Sequence, residues 1–223
     1  MKKIITCLLM LSMMFMFSAT AFASDFSGNA ESELSNISDK IVTAVNDVYS
    51  DKNISITAED INYDSAFKIY VDTNVFKLST NVAGEIENAL ENGNYIYLLP
   101  IDTVNGTVVV NFQRGLPLSE NAKAILSEEE QQEVLDNAGK WVISSLALYK
   151  NGNSNYDYEK KLSSIIDEIP ADTILVGGLP IFQDVVALIP NSDGVIEEIV
   201  PVTATDYDEN LVTYATVSYT HLT

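Results

Sequence analysis

The spacing of apolar residues changes several times along this chain, and each change marks an element. Leu34, Ile37, Ile41, Ala44, Val45 and Val48 recur at steps of three and four. That spacing predicts a helix with one apolar face, capped by Ser35 or Ser38 and ended by Asp51-Lys52-Asn53. Alternation then predicts two strands, at residues 54–57 and 66–71. A second helix is predicted over residues 82–90, with Asn92-Gly93 as its stop. Next, Tyr95-Ile96-Tyr97-Leu98-Leu99 and Thr107-Val108-Val109-Val110-Asn111-Phe112 flank Asn105-Gly106. Asn-Gly tolerates the positive φ angles of a type I′ turn, so these pieces predict a hairpin. Pro100 has no N–H for the ladder and is expected at an edge or a bulge.

Gly115-Leu116-Pro117 interrupts the pattern. Ser127-Glu128-Glu129-Glu130 has the form of a capping box, with an acidic first turn that suits the helix dipole. Val134, Leu135, Ala138, Trp141, Val142, Leu146 and Tyr149 extend it into the longest predicted helix, terminated by residues 151–155. A shorter helix is predicted from Tyr158 to Ile169, before Pro170. Strands are predicted at residues 173–176, 184–189 and 195–200, with Asp193-Gly194 as a turn, and a fourth at 211–214. Hairpins dominate and regular βαβ alternation is missing. The expected class is α+β, with mainly antiparallel strands and about four helices. The halves 34–115 and 116–216 each hold helices and strands, and one domain or two is left open.

The two ends change the picture. Lys2 and Lys3 precede an apolar run from Ile4 to Phe17, and Ala21-Phe22-Ala23 has the small-x-small form that signal peptidase accepts. The run is short for a ~30 Å hydrocarbon core. Residues 1–23 are therefore expected to be a cleaved secretory signal peptide, followed by a flexible N-terminus over 24–33. At the other end, Val217-Ser218-Tyr219-Thr220-His221-Leu222-Thr223 is similar to one reading frame of the adapter used in transposase-based DNA library preparation. On that reading 217–223 is a non-native tail and the chain is a fragment.

Cleavage removes Cys7, the only cysteine, and leaves ten basic residues against 32 acidic ones, a formal charge of −22. Such a charge repels nucleic acid and anionic lipid, and no run after residue 23 is long and apolar enough to span a membrane. Arg114 is the only arginine, while Asn and Lys are frequent. This resembles the codon habit of an A+T-rich genome and suggests a Gram-positive bacterium.

Without a mature cysteine, and with His221 as the only histidine, histidine-based triads, Cys/His nucleophiles and Cys- or His-ligated zinc are not expected. Neither a Walker loop nor GxGxxG is present. Gly177-Gly178 leads into Leu179-Pro180 and reads as a turn. Acidic pairs such as Asp167-Glu168 and Glu197-Glu198 leave a carboxylate-based hydrolase formally open, but read as exposed faces. Asp206, Asp208 and Asn210 alternate like the start of a calcium loop. Leu211 stands where an EF-hand needs glycine, and Val217 where it needs glutamate, so only an irregular Ca²⁺ site remains. Residues 116–120 faintly resemble a sortase signal without its Thr-Gly, and read as a loop entering a helix. Tyr63, Tyr70, Tyr95, Tyr97 and Trp141 are candidates for a sugar-stacking surface; strand tyrosines more commonly bridge core and solvent.

These readings point to an exported bacterial accessory or interaction protein, non-enzymatic in its visible chain and without a required cofactor. Its partner is expected outside the cell or at the cell wall. Two alternatives stand beside it: the N-terminal pro- or targeting region of a truncated secreted hydrolase, and a calcium-dependent adhesion module using Asp206, Asp208 and Asn210.

Overall fold

A computed structural model describes residues 25–202, apart from 72, 74, 92 and 178–184, together with the backbone of 211 and 212. The signal peptide, the 217–223 tail with His221, the Gly178-Leu179-Pro180 turn and the calcium candidates Asp206, Asp208 and Asn210 lie outside the described residues.

The first helical stretch is a pair: α1 (Ala30–Leu34), a 3₁₀ turn, then α2 (Ser38–Tyr49). Neither Ser35 nor Ser38 caps it, because the 3₁₀ turn carries the backbone straight from one helix into the next. Asn53 ends the stretch in the left-handed conformation, at φ 54°. Residues 25–33 are tied down more firmly than a flexible N-terminus: Phe26 and Ala30 are buried, and the Phe26 carbonyl accepts from the Lys68 N–H at 2.8 Å.

The alternating segment 54–57 is not a strand. Ile54 and Ile56 do point into the core, but the Ile54 N–H donates to the Tyr49 carbonyl at 3.4 Å and the Ile56 backbone is held by a side chain. Asn46 Oδ1 accepts from the Ile56 N–H at 2.8 Å, and Asn46 Nδ2 donates to the Ile56 carbonyl at 3.0 Å. One amide thus satisfies what a neighbouring strand would otherwise supply.

Among the described residues, seven strands and a two-residue eighth form one mostly antiparallel sheet. They are β1 (Phe67–Val71), β2 (Asn94–Thr103), β3 (Gly106–Arg114), β4 (Trp141–Tyr149), β5 (Ile174–Val176), β6 (Val185–Pro190), β7 (Ile196–Val202) and β8 (Leu211–Val212). The order across the sheet is β7-β6-β5-β1-β2-β3-β4-β8, and only β1 and β5 run parallel. Strands from both sides of residue 116 join in it, through β3 with β4 and β1 with β5.

The predicted hairpin forms, with its turn displaced by one residue. Thr103 pairs with Gly106, so Val104 and Asn105 occupy the centre, and neither has a positive φ. Gly106 is needed for another reason: a Cβ there would lie 2.2 Å from the Tyr149 carbonyl oxygen. Pro100 sits where β2 outruns β1, whose pairing ends at Leu98, so that side is a local edge. Ser65 Oγ donates to the Pro100 carbonyl there, at 3.2 Å.

The largest correction concerns residues 127–149, predicted as one long helix. Helix α5 (Glu128–Asn137) begins with the expected capping box but ends at Asn137. Gly139, at φ 71°, turns the chain, and residues 141–149 enter the sheet as β4. The misleading period has a physical source. Asn111 pairs with Ser145 and Phe112 with Ile143, which leaves Ser144 as the extra residue of a β-bulge. The β4 residues buried in the core under α1 and α2, Trp141, Ile143, Leu146 and Leu148, therefore step by two, three and two, and the step of three mimics a helix. The last predicted helix is also shorter: α6 (Tyr158–Ser163) stops well before Ile169. Ser163 and Ser164 hydroxyls donate to the Lys160 and Lys161 carbonyls, at 3.0 and 2.6 Å, and compete with the backbone for them.

The alternating faces of the sheet build two layers of core. On one face α1 and α2 cover Tyr97, Leu99, Val110, Phe112, Trp141 and Leu146. On the same side α3 (Ala83–Leu90) covers Tyr70, Ile174, Val176 and Leu188. The opposite face packs Phe67, Ile69, Leu175 and Ala187 against Phe26 and α6. Among the described residues no helix is long and apolar enough to cross a membrane.

Candidate functional site

Between β3 and β4 the chain leaves the sheet as an arm of two short helices, α4 (Glu120–Ile125) and α5. Its base is clamped by backbone: the Gly115 N–H donates to Lys140 and the Gly139 N–H to Gly115, both at 2.8 Å. The clamp leaves no room for a side chain, since a Cβ at Gly115 would stand 2.2 Å from the Asn137 carbonyl oxygen. Within the arm, Gln131 Nε2 donates to the carbonyls of Lys123 and Leu126. Helix α5 buries none of its residues, and Leu116, Ile125 and Leu135 are exposed.

Beside the clamp, one carboxylate organises the end of the sheet. Glu33 of α1 accepts from the Tyr95 hydroxyl at 2.9 Å, the Tyr97 hydroxyl at 3.2 Å, Trp141 Nε1 at 2.9 Å and Arg114 Nη2 at 2.8 Å. The pairing register explains the convergence. Arg114 faces Trp141 across β3 and β4, and Tyr95 and Tyr97, two apart on β2, share one face. The guanidinium lies 4.0 Å from the indole centroid, and the rings of Tyr95 and Tyr97 pack on the same indole at 5.4 and 5.1 Å. Lys68 Nζ covers the other end of the aromatic row, 4.4 Å from Tyr95 and 4.9 Å from Tyr70. Burial, and then the Glu33 charge, hold the Tyr97 hydroxyl far above its ordinary range. Tyr70 is pushed up to about 12, by burial first and by nearby glutamates second.

This row is not a sugar-stacking surface. Tyr97, Tyr70 and Trp141 are 0, 3 and 6 % exposed, and their faces are taken by one another and by Arg114 and Lys68. Tyr95 does what a strand tyrosine commonly does, with its ring against the core and its hydroxyl on a polar partner.

Among the described residues, an open space lies next to Trp141, between the first helices and the base of the arm. It has two contiguous parts that share Ile37, Lys40, Asn137 and Trp141. One, of about 360 Å³, has an apolar floor of Ile37, Ala44, Trp141, Val142 and Ile143, with Asp39, Lys40 and Glu133 at its rim. The other, of about 340 Å³, is polar and is lined by Arg114, Lys40 and Lys140 with Glu33. Together they have the size and mixed lining of a small-ligand cleft.

The sequence flagged Trp141 and Tyr95 for a different role and passed over Glu33, which stands in the segment expected to be loose. One signal pointed here. A lone arginine in a chain that otherwise uses lysine suggests a place where only a planar, stacking fork serves. The acidic pairs Asp167-Glu168 and Glu197-Glu198 are exposed. Among the described residues no three Asp, Glu, His or Cys side chains gather into a group that could hold a metal ion. Comparison of the chain with family models, with curated proteins and with solved structures returns no match.

Proposed function

We propose that this is an exported bacterial accessory protein that works by binding, outside the cell or at the cell wall. The observation that supports binding is the two-part cleft beside Trp141, where an apolar floor runs into a cationic end. Glu33, the carboxylate at its cationic end, is engaged by four donors and serves as an architectural anchor, while Asp39 and Glu133 stand at the apolar part. A carboxylate so occupied has no lone pair spare for general-base work. Export rests on the leader pattern of residues 1–23, and the strongly acidic composition supports a partner other than nucleic acid.

The test has two parts. Secreted from a Gram-positive host under its own leader, the protein in the medium begins at Ser24. Purified residues 24–216 give no turnover on ester, glycoside and peptide substrates. Retention in the cell with Met1 intact defeats the export reading. Turnover that persists through repurification, and is unchanged by filling the cleft, defeats the binding reading.

A further inference from the structure

We propose that Asn151 is a site of spontaneous, one-way modification, at which the folded chain converts the amide of its own turn into a carboxylate. The inference stands apart from the binding reading above, and neither depends on the other. The chain holds three Asn-Gly steps, at 92–93, 105–106 and 151–152. Each offers the same chemistry. The backbone nitrogen of the glycine, once deprotonated, attacks Cγ of the preceding asparagine, and the missing Cβ leaves that approach unobstructed. The new N–Cγ bond closes a succinimide ring, and the Cγ–Nδ2 bond breaks to release ammonia. Water then opens the ring at either carbonyl, giving aspartate or isoaspartate. No oxidation or reduction occurs, and water is the only co-reactant.

The fold separates the three by how firmly it holds the glycine nitrogen. The Gly93 N–H donates to the Leu90 carbonyl at 2.7 Å. Gly106 is paired with Thr103 at the end of the β2–β3 ladder, its carbonyl accepts from Thr103 Oγ1 at 2.6 Å, and the Tyr149 carbonyl crowds it from β4. The Asn105 amide is engaged as well, with Nδ2 donating to the Lys52 carbonyl at 3.0 Å. Peptide groups held in this way react only after the local structure opens, so the rate at 93 and 106 carries the cost of that opening. Asn151 and Gly152 are both exposed and lie beyond the end of β4. Their turn is closed by the Asn153 N–H on the Lys150 carbonyl at 2.9 Å, which ties the ends and leaves the reacting peptide outside any ladder. Among the described residues nothing accepts from the Gly152 N–H. Gly152 stands at φ 90°, and a Cβ there would meet nothing within 4 Å, so the ring has room to form. The amide of Asn151 is held by one bond among the described residues, from Nδ2 to the Val104 carbonyl at 3.4 Å, which is long. After conversion a carboxylate stands in place of that donor and repels the Val104 carbonyl, loosening the turn from the tip of the β2–β3 hairpin.

The purified protein is aged in oxygen-labelled water, folded or in guanidinium chloride, and its peptides are mapped by mass spectrometry with fragmentation that separates aspartate from isoaspartate. In the folded protein label and both products accumulate at residue 151 about tenfold or more faster than at 92 or 105, a ratio set by the opening cost at the other two. In guanidinium chloride the three rates converge, because the restraints on Gly93 and Gly106 are gone. The rate at 151 rises with pH, since the attacking nitrogen must first lose its proton. Asn151→Gln, whose longer side chain closes an imide far more slowly, keeps its melting temperature and loses the acidic species that isoelectric focusing resolves in the aged protein. Equal rates at 151 and 105 in the folded protein, products without label, or an acidic species undiminished in Asn151→Gln would overturn the inference.

Discussion

Replacing Glu33 by alanine removes the acceptor on which four donors converge, and the cost follows from how deeply each donor lies. Tyr97 is fully buried and Trp141 is 6 % exposed, so their hydroxyl and indole N–H lose a charged partner where water is scarce. A buried donor left without a partner costs about 1–3 kcal/mol, and a hydrogen bond to a charged group contributes about 1.5–3 kcal/mol. The Arg114 side chain is 44 % exposed, so its ion pair adds only about 0–1 kcal/mol. These contributions share one carboxylate and do not add fully, which places Glu33→Ala at about 3–5 kcal/mol. For a domain of this size that is a fall in Tm of roughly 6–20 °C. Glu33→Gln retains one oxygen but turns an NH₂ toward the donors, and loses about half as much. Tyr95→Phe removes one half-buried hydroxyl and costs about 1 kcal/mol. Equilibrium urea unfolding, followed by far-ultraviolet circular dichroism and by Trp141 fluorescence, measures all three. If Glu33→Ala stays within about 1 kcal/mol of the wild type, the carboxylate is not the anchor described here.

Three further outcomes are expected. Gly106→Ala places a Cβ 2.2 Å from the Tyr149 carbonyl oxygen at φ 140° and should cost more than about 3 kcal/mol, whereas Gly139→Ala, at φ 71° with open space around it, costs about 1 kcal/mol; thermal melts that fail to separate the two would discredit the close approach of β3 and β4. Ser127→Ala breaks the α5 capping box, worth about 1 kcal/mol, and because α5 buries no residue the loss shows as faster limited proteolysis within 116–137 at a nearly unchanged global midpoint. Tyr49, Tyr70 and Tyr158 are raised by burial from 10.0 to about 12, so the stability they carry is complete below pH 10 and is lost as pH climbs from 10 to 12; an ultraviolet titration should show late tyrosinate formation coincident with unfolding, and early, non-cooperative ionisation would contradict the packing.

The elements that the sequence announced are those whose cause is local. The α5 capping box spans four residues, from Ser127 to Glu130, and both of its bonds form inside that span. The β2–β3 hairpin was legible for the same reason, although its glycine answers to Tyr149, more than forty residues away in the chain, and not to the turn. Where a non-local partner decides, the pattern misled. Ile54 and Ile56 alternate as a strand would, but the Ile54 N–H turns back to Tyr49 and Asn46 takes the backbone bonds of Ile56. Trp141–Tyr149 carried the β-prone residues of a strand, and the bulge at Ser144 broke their alternation into helix-like steps. The Glu33 anchor gathers donors 62, 64, 81 and 108 residues away. A periodicity argument has no access to separations of that kind. The aromatic residues were picked out correctly as a group, yet their composition could not distinguish a ligand platform from a core that stacks on itself.

The claim at the centre of this account is that Trp141 borders a cationic cleft in a chain of large negative charge. Collisional quenching of its fluorescence by iodide and by caesium, at matched ionic strength, tests that claim most directly. The overall charge of residues 24–216 would draw caesium and repel iodide. With each quenching constant divided by that of free N-acetyltryptophanamide, the cleft predicts the reverse order, iodide quenching Trp141 relatively more than caesium, with the order inverted in a Lys40→Gln/Lys140→Gln double variant. Stronger quenching by caesium in the unaltered protein would contradict the account.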